Sequence, residues 1–147
     1  MKRPIVEMVG SAHYVPAKVL SNHDLEKMLD TSDDWIRERT GIRERHVAAP
    51  GESLTSMAKC AASRLFQETG TGPEDIDALV VATASWDRLL PSAACDIQAA
   101  IGAVNAAAFD VGAACAGYLY ALQVAEGMVA AGQAENVLVI GAERLTS

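Results

Sequence analysis

Three short apolar runs, residues 78–83 (ALVVAT), 106–111 and 137–140, alternate with stretches of helical periodicity, and this alternation constrains the fold more than any other feature of the chain. ALVVAT is apolar at consecutive positions, as a strand covered on both faces must be. Residues 53–69 set Leu54, Met57, Ala58, Ala61, Leu65 and Phe66 on one helical stripe, with Gly70 beyond its end. Residues 92–101 read as a helix closed by Gly102, and residues 115–131 as one closed by Gly132. From residue 53 onward the order is helix, strand, helix, strand, helix, strand. That order predicts an α/β fold whose parallel sheet carries helices on its faces, joined by right-handed crossovers. Upstream, residues 4–9 read as a first strand closed by Gly10, and residues 21–29 as a helix capped by Ser21. Residues 31–39 read as a second helix, capped by Thr31 or Ser32, with Asp33 and Asp34 at its positive end and Gly41 as its stop. Residues 73–77 read as a turn.

Composition removes several classes of function. With 50% hydrophobic residues and a mean hydropathy of +0.14, the chain is too apolar for intrinsic disorder. Its longest apolar stretches are broken by Gly, Asn or Asp well short of the roughly 18 residues a membrane span requires. Glu7, Gly10 and His13 interrupt any signal-peptide core, so a cytoplasmic protein is expected. A net charge of −7 argues against a nucleic-acid partner. Residues 1–70 hold ten Lys/Arg against ten Asp/Glu, whereas residues 71–147 hold two against nine. Arg37, Arg39, Arg43 and Arg45 crowd into one short stretch interleaved with Glu38 and Glu44. Such a cluster either receives a small anionic ligand or forms a solvated helix face.

The three cysteines, Cys60, Cys95 and Cys115, show no metal-ligand spacing, and no metal is expected. Cys60 and Cys95 fall within helical stretches, where a thiol serves as a small core residue. Cys115 has different surroundings. Residues 109–118 (FDVGAACAGY) run from a buried strand through a turn of small residues into a helix, with Cys115 at the first helical turn. Gly and Ala let a substrate approach the backbone there, and unpaired N–H groups at a helix start favour a thiolate and can bind an oxyanion. The alternative is a small core residue at a crowded crossover. A Cys–His hydrolase would need His13, His23 or His46 to reach Cys115, and all three read as surface or capping residues.

Three segments carry a resemblance: residues 30–46 (DTSDDWIRERTGIRERH), residues 91–95 (PSAAC) and residues 109–118. In this order and spacing they resemble beta-ketoacyl-acyl carrier protein synthase III, the condensing enzyme that initiates type II fatty acid synthesis. The resemblance runs from about residue 4 to the last residue. It implies a thiolase-like layered sandwich built of two similar α/β halves, and a homodimer. Cys115 would be the acyl-accepting nucleophile. It would take a short acyl group from acyl-CoA and pass it to the carbanion formed as malonyl-acyl carrier protein loses carbon dioxide. Trp35 would stack the adenine of CoA and Arg39 would bind its phosphates, with Thr31 beside them and Arg37 undecided. Leu90 would correspond to a position that reaches into the acyl pocket of the neighbouring subunit, where relatives often carry an aromatic residue. Acyl-CoA is a substrate in this scheme, and no cofactor is implied.

The family's decarboxylating His and Asn have no counterpart in these residues. Residues 1–147 are therefore expected to be the N-terminal part of a longer condensing enzyme, stopping before its second half and inactive alone. The alternatives are a related enzyme of polyketide or secondary metabolism and an inactive half-domain that serves as an interaction module.

Overall fold

A computed structural model describes residues 6–146. The chain divides into two compact units, one made of residues 53–144 together with the segment ending at Tyr14, the other of Val15–Glu52 with the residues from Leu145 onward.

The larger unit contains the alternating elements. Helix α3 (Leu54–Thr69), strand β3 (Ala78–Ala82), helix α4 (Ala93–Ile101), strand β4 (Ala107–Val111), helix α5 (Gly117–Ala130) and strand β5 (Val137–Gly141) follow one another. The three strands form a parallel sheet in the order β4-β3-β5, with Val80 opposite Phe109 and Val139. Every residue of β3 is buried, as expected of a central strand covered on both faces. Side chains alternate across the sheet. Leu79, Val81, Ala108, Leu138 and Ile140 pack with Leu54, Ala58, Ala62, Ala94 and Ile97 of α3 and α4. Val80, Ala82, Phe109, Val111, Val137 and Val139 pack with Ala121 of α5. Burying one such Leu, Ile or Val side chain contributes about 1.5–3 kcal/mol, so this two-faced packing is what holds the sheet together.

Helix ends follow local chemistry. Ser53 caps α3 in a reciprocal capping box with Ser56, and Ser92 caps α4 by accepting from the Cys95 N–H. Gly70 and Gly102 close these helices in the left-handed conformation, at φ +73° and +81°. The third helix starts later than the expected residue 115: a single 3-10 turn, Ala114–Ala116, precedes α5. On α3 the stripe is correct except that Ala62 is buried where Ala61 is only partly so. Cys60 departs further. It lies exposed, off the buried face, and is not a core residue. No strand forms over residues 6–9, and Pro4 and Ile5 of the expected first strand lie outside the described residues.

The smaller unit holds β1 (Lys18–Ser21), α1 (Asn22–Glu26), α2 (Asp33–Thr40) and β2 (Glu44–Val47). β1 and β2 pair antiparallel, with Lys18 opposite Val47. The expected helix over residues 21–29 ends at Glu26, and Met28 and Leu29, its supposed core face, stand exposed. Its Ser21 start is correct, with a capping box to Asp24. Helix α2 is capped by Ser32, one of the two expected residues, and stopped by Gly41 at φ +73°. Because Gly41 turns the chain, Arg43 precedes β2 and Arg45 lies within it, so the four arginines do not share a helix face. Asn22 organises this unit. It is buried, donates to the Asp33 carboxylate and the Ile42 carbonyl at 2.8 Å each, and accepts from Arg45.

Candidate functional site

Cys115 stands exposed in the middle of the 3-10 turn that joins β4 to α5. The turn closes with the Ala116 N–H donating to the Ala113 carbonyl at 3.0 Å. Ala114, immediately before the cysteine, has φ +44°, a left-handed conformation that costs an L-residue with a Cβ about 1–2 kcal/mol. This strain sits beside the thiol, where local conformation decides the direction of the side chain.

Two close approaches seat the helix that follows. A Cβ added to Gly117 would lie 3.3 Å from the Ala82 Cβ, and one added to Gly141 would lie 2.9 Å from Cδ2 of Tyr118. Gly117, Ala121 and Ala125 face the sheet as a buried row of small residues, which lets α5 pack close to β3 and β5. The small-residue turn of the sequence is thus a close-packing device. The start of α5 also differs from the others. Asp87 supplies a second cap to α3, accepting the Leu54 and Thr55 N–H groups at 3.0 Å each, and Asp110 does the same for α4, accepting from Ala93 and Ala94 at 3.0 and 2.7 Å. Helix α5 begins at Ala116 with no side-chain cap.

In the smaller unit, α2 brings Trp35 and Arg39 together one helical turn apart. The Arg39 guanidinium carbon lies 4.5 Å from the centroid of the Trp35 ring, and the ring is half exposed. Ser32, whose side chain accepts the Trp35 N–H at 3.1 Å, fixes the start of this helix, and half-buried Thr31 precedes it. Arg37 is engaged otherwise: it donates to Asp33 at 3.2 Å. Leu90 belongs to the larger unit, in the loop between β3 and α4, where it is 80% exposed beside Leu89.

The histidines are occupied locally. The His23 ring lies 3.1 Å from Glu26, whose hydrogen bond and negative charge raise its pKa above the ordinary value. The His46 Nδ1 lies 2.6 Å from the Pro16 carbonyl oxygen and its Nε2 3.8 Å from Glu44. His13 takes part through its backbone, its carbonyl accepting from Arg64. Cys95 is partly buried, its Sγ accepting from the Ser92 hydroxyl at 3.3 Å, consistent with a structural role. Among the described residues no three His, Cys, Asp or Glu side chains are grouped as a metal site, and no helix is long and apolar enough to cross a membrane.

The sequence reading missed Asn22, Asp110 and Trp86. Asp110 and Trp86 are joined: the Trp86 Nε1–H donates to the Asp110 carboxylate at 3.0 Å. Asp110 had one available signal, an acidic residue interrupting an apolar strand. Such a residue needs buried donors, and the start of α4 supplies them.

Residues 109–147 match the 3-oxoacyl-[acyl-carrier-protein (ACP)] synthase III family. The chain is 50% identical over 145 residues, 99% of its length, to a beta-ketoacyl-[acyl-carrier-protein] synthase III of Xylella fastidiosa. It superimposes with a TM-score of 0.88 on the crystal structure of 3-oxoacyl-[acyl-carrier-protein] synthase III from Aquifex aeolicus VF5, at 47% identity and over 93% of the chain. The same score, at 36% identity over 93% of the chain, relates it to the priming beta-ketosynthase of the R1128 polyketide biosynthetic pathway, of which it covers 41%. The chain spans 45% of the length of the Xylella relative and 44% of the Aquifex structure. Identity near one half along nearly all of its residues, with the thiolase-like α/β fold those structures share, makes this chain similar to beta-ketoacyl-[acyl-carrier-protein] synthase III over somewhat less than half of that protein's length.

Proposed function

We propose that the protein to which these residues belong loads a short acyl group from acyl-CoA onto Cys115 and condenses it with malonyl-acyl carrier protein, starting fatty acid synthesis. The observation that carries this reading is the setting of Cys115: an exposed thiol in a turn between a buried strand and a helix with no side-chain cap, inside the segment that matches the family. In the loading step the Cys115 thiolate attacks the thioester carbonyl, and backbone N–H groups near the helix start stabilise the oxyanion. The carbon–sulfur bond to CoA then breaks, CoA leaves as a thiolate that takes up a proton, and a thioester to Cys115 remains. In the second step malonyl-acyl carrier protein loses carbon dioxide, and its carbanion forms a carbon–carbon bond to the acyl carbonyl. The bond to Cys115 breaks and the thiolate is restored. Nothing in this chemistry requires a metal or a bound cofactor.

Trp35 and Arg39 are proposed to receive CoA, the indole as a stacking face for adenine and the guanidinium as a phosphate partner, with Thr31 at the same helix start. The engagement of Arg37 with Asp33 favours Arg39 for that task. Leu90 is assigned to the acyl pocket, in a cytoplasmic homodimer whose residues 1–147 form the N-terminal part of the enzyme. The R1128 relative favours a second reading, priming of polyketide synthesis by the same loading chemistry. The test uses the protein at its full encoded length, incubated with labelled acetyl-CoA and digested for mass spectrometry. Label on the Cys115 peptide, absent in Cys115→Ala, is expected, and label persisting in that variant would overturn the assignment. Malonyl-acyl carrier protein of fatty acid synthesis, compared with a polyketide carrier as acceptor, separates the two readings.

A further inference from the structure

We propose that Trp86 is a positioning residue for acyl-chain selection, its hydrogen bond to Asp110 clamping the β3–α4 loop onto the strand that leads into Cys115. The proposal rests on the reading of Cys115 as the acylated residue and deepens it.

The loop over residues 83–92 has no regular structure, yet it is fastened along most of its length. Thr83 is buried, and its hydroxyl accepts the Ser85 N–H at 3.1 Å. The Glu143 carboxylate accepts the Ala84 N–H at 2.7 Å and also the Ser85 hydroxyl. Asp87 binds the start of α3, and the Arg88 Nε donates to Asp96 of α4 at 2.8 Å. Against this fixed frame Leu89 and Leu90 stand out, 83% and 80% exposed. The loop is therefore a bracket that holds an apolar pair away from its own core.

Those fastenings tie the bracket to α3, α4 and the residues after β5. Trp86 ties it to β4. Its Nε1–H donates to the Asp110 carboxylate, and that carboxylate also accepts from the Ala93 and Ala94 N–H groups, so one side chain on β4 joins the loop and the start of α4. The indole also approaches the segment before the turn: its Cζ2 is 3.8 Å from the position a Cβ on Gly112 would occupy, and Gly112 is three residues before Cys115. A ring close to Gly112 and hydrogen-bonded to the preceding strand couples the placement of the Leu89–Leu90 tip to that of the thiol. With Leu90 at the acyl pocket, a reading on which this proposal also rests, the bond sets the position of the pocket wall. Loosening it changes which chain lengths fit and leaves the thiol chemistry intact, because no atom of Trp86 takes part in the attack.

The decisive variant is Trp86→Phe at the protein's full encoded length, which keeps an aromatic ring at this position but removes the N–H donor to Asp110 and the benzo atom Cζ2 that approaches Gly112. Hydrogen exchange in residues 84–90 is expected to quicken roughly tenfold, the scale of a lost hydrogen bond to a charged acceptor. The ratio of kcat/KM for hexanoyl-CoA over acetyl-CoA is expected to rise several-fold, while the alkylation rate of Cys115 by iodoacetamide stays at the parent value and the Tm falls by only a few degrees. A purely structural role would lower the Tm without moving the selectivity ratio. An unchanged ratio in a folded variant, with the parent acylated normally, overturns this proposal and leaves the functional reading standing. A parent that no acyl-CoA acylates overturns the functional reading, and this proposal with it. Should the variant fail to fold, the parent alone suffices: a Trp86 indole N–H proton protected from solvent exchange in NMR supports the clamp, and one exchanging at the free rate refutes it.

Discussion

The ring of Tyr118, in the first turn of α5, lies against Gly141 at the end of β5 so closely that a Cβ on the glycine would be 2.9 Å from Cδ2, 3.4 Å from Cγ and 3.5 Å from Cβ of the tyrosine. These atoms lie near the root of the side chain, so rotation at its far end cannot relieve the contact. Gly141→Ala is therefore expected to destabilise the fold by about 1–3 kcal/mol, the usual cost of overpacking. Urea denaturation measures it. The double variant with Tyr118→Ala should recover part of the loss, and strictly additive effects would show that the two side chains do not meet.

Ala114 gives a prediction of opposite character. Its φ of +44° is one that glycine adopts freely. Ala114→Gly relieves about 1–2 kcal/mol of left-handed strain. It also adds unfolded-state freedom worth about 0.4–1 kcal/mol in the opposite direction. The net effect is expected to lie between zero and about 1.6 kcal/mol towards greater stability. Ala125→Gly, within α5, should instead cost about 1 kcal/mol or more. Equal losses at both sites in denaturant titrations would mean that residue 114 is not left-handed.

These local contacts explain which parts of the fold the sequence discloses. The parallel sheet and its three helices are legible because each strand is largely apolar and because α3 and α4 carry their own Ser cap and Gly stop, while Gly132 follows the end of α5, all decided within a few residues. The β1–β2 pair is not. Its strands have four residues each and are largely exposed at their outer ends, so no apolar alternation marks them. Cys115 is legible from its turn, and the family resemblance names Trp35 and Arg39 before their 4.5 Å stacking is seen. Asp110 and Trp86 escape because their partnership spans 24 positions of sequence and depends on the loop path.

Asp87 ties stability to pH. Burial raises its pKa, but the Thr55 and Leu54 N–H groups, the Thr55 hydroxyl and the Arg144 charge outweigh that, leaving it below the ordinary 3.8. A carboxyl with a lowered folded-state pKa contributes stability that is complete above the unfolded value and is lost as pH falls through the folded one. The parent is therefore expected to lose Tm progressively below about pH 3.8. Asp87→Asn should start from a lower Tm at pH 7 and show a shallower decline in that window. Parallel Tm curves for the two proteins would remove Asp87 as a source of the acid sensitivity.

The last prediction concerns the nucleotide end of the proposed substrate. Trp35 is half exposed, and Arg39 covers one face of its ring at 4.5 Å, which leaves the indole available for a base and the guanidinium near any phosphate that accompanies it. Removing a stacking ring costs about 1–3 kcal/mol per base, so Trp35→Ala should weaken CoA binding by roughly 5- to 150-fold. Arg39→Lys should weaken it too, because an ammonium neither stacks on the indole nor presents a planar fork to phosphate. The two losses should be less than additive, since the arginine is oriented by the ring that the first variant removes. Calorimetric titration with CoA gives these values, and Cys115 alkylation, expected to be unchanged in both variants, shows that the thiol's turn is intact. A CoA Kd unmoved by Trp35→Ala would take the adenine away from α2 and require another site for the nucleotide.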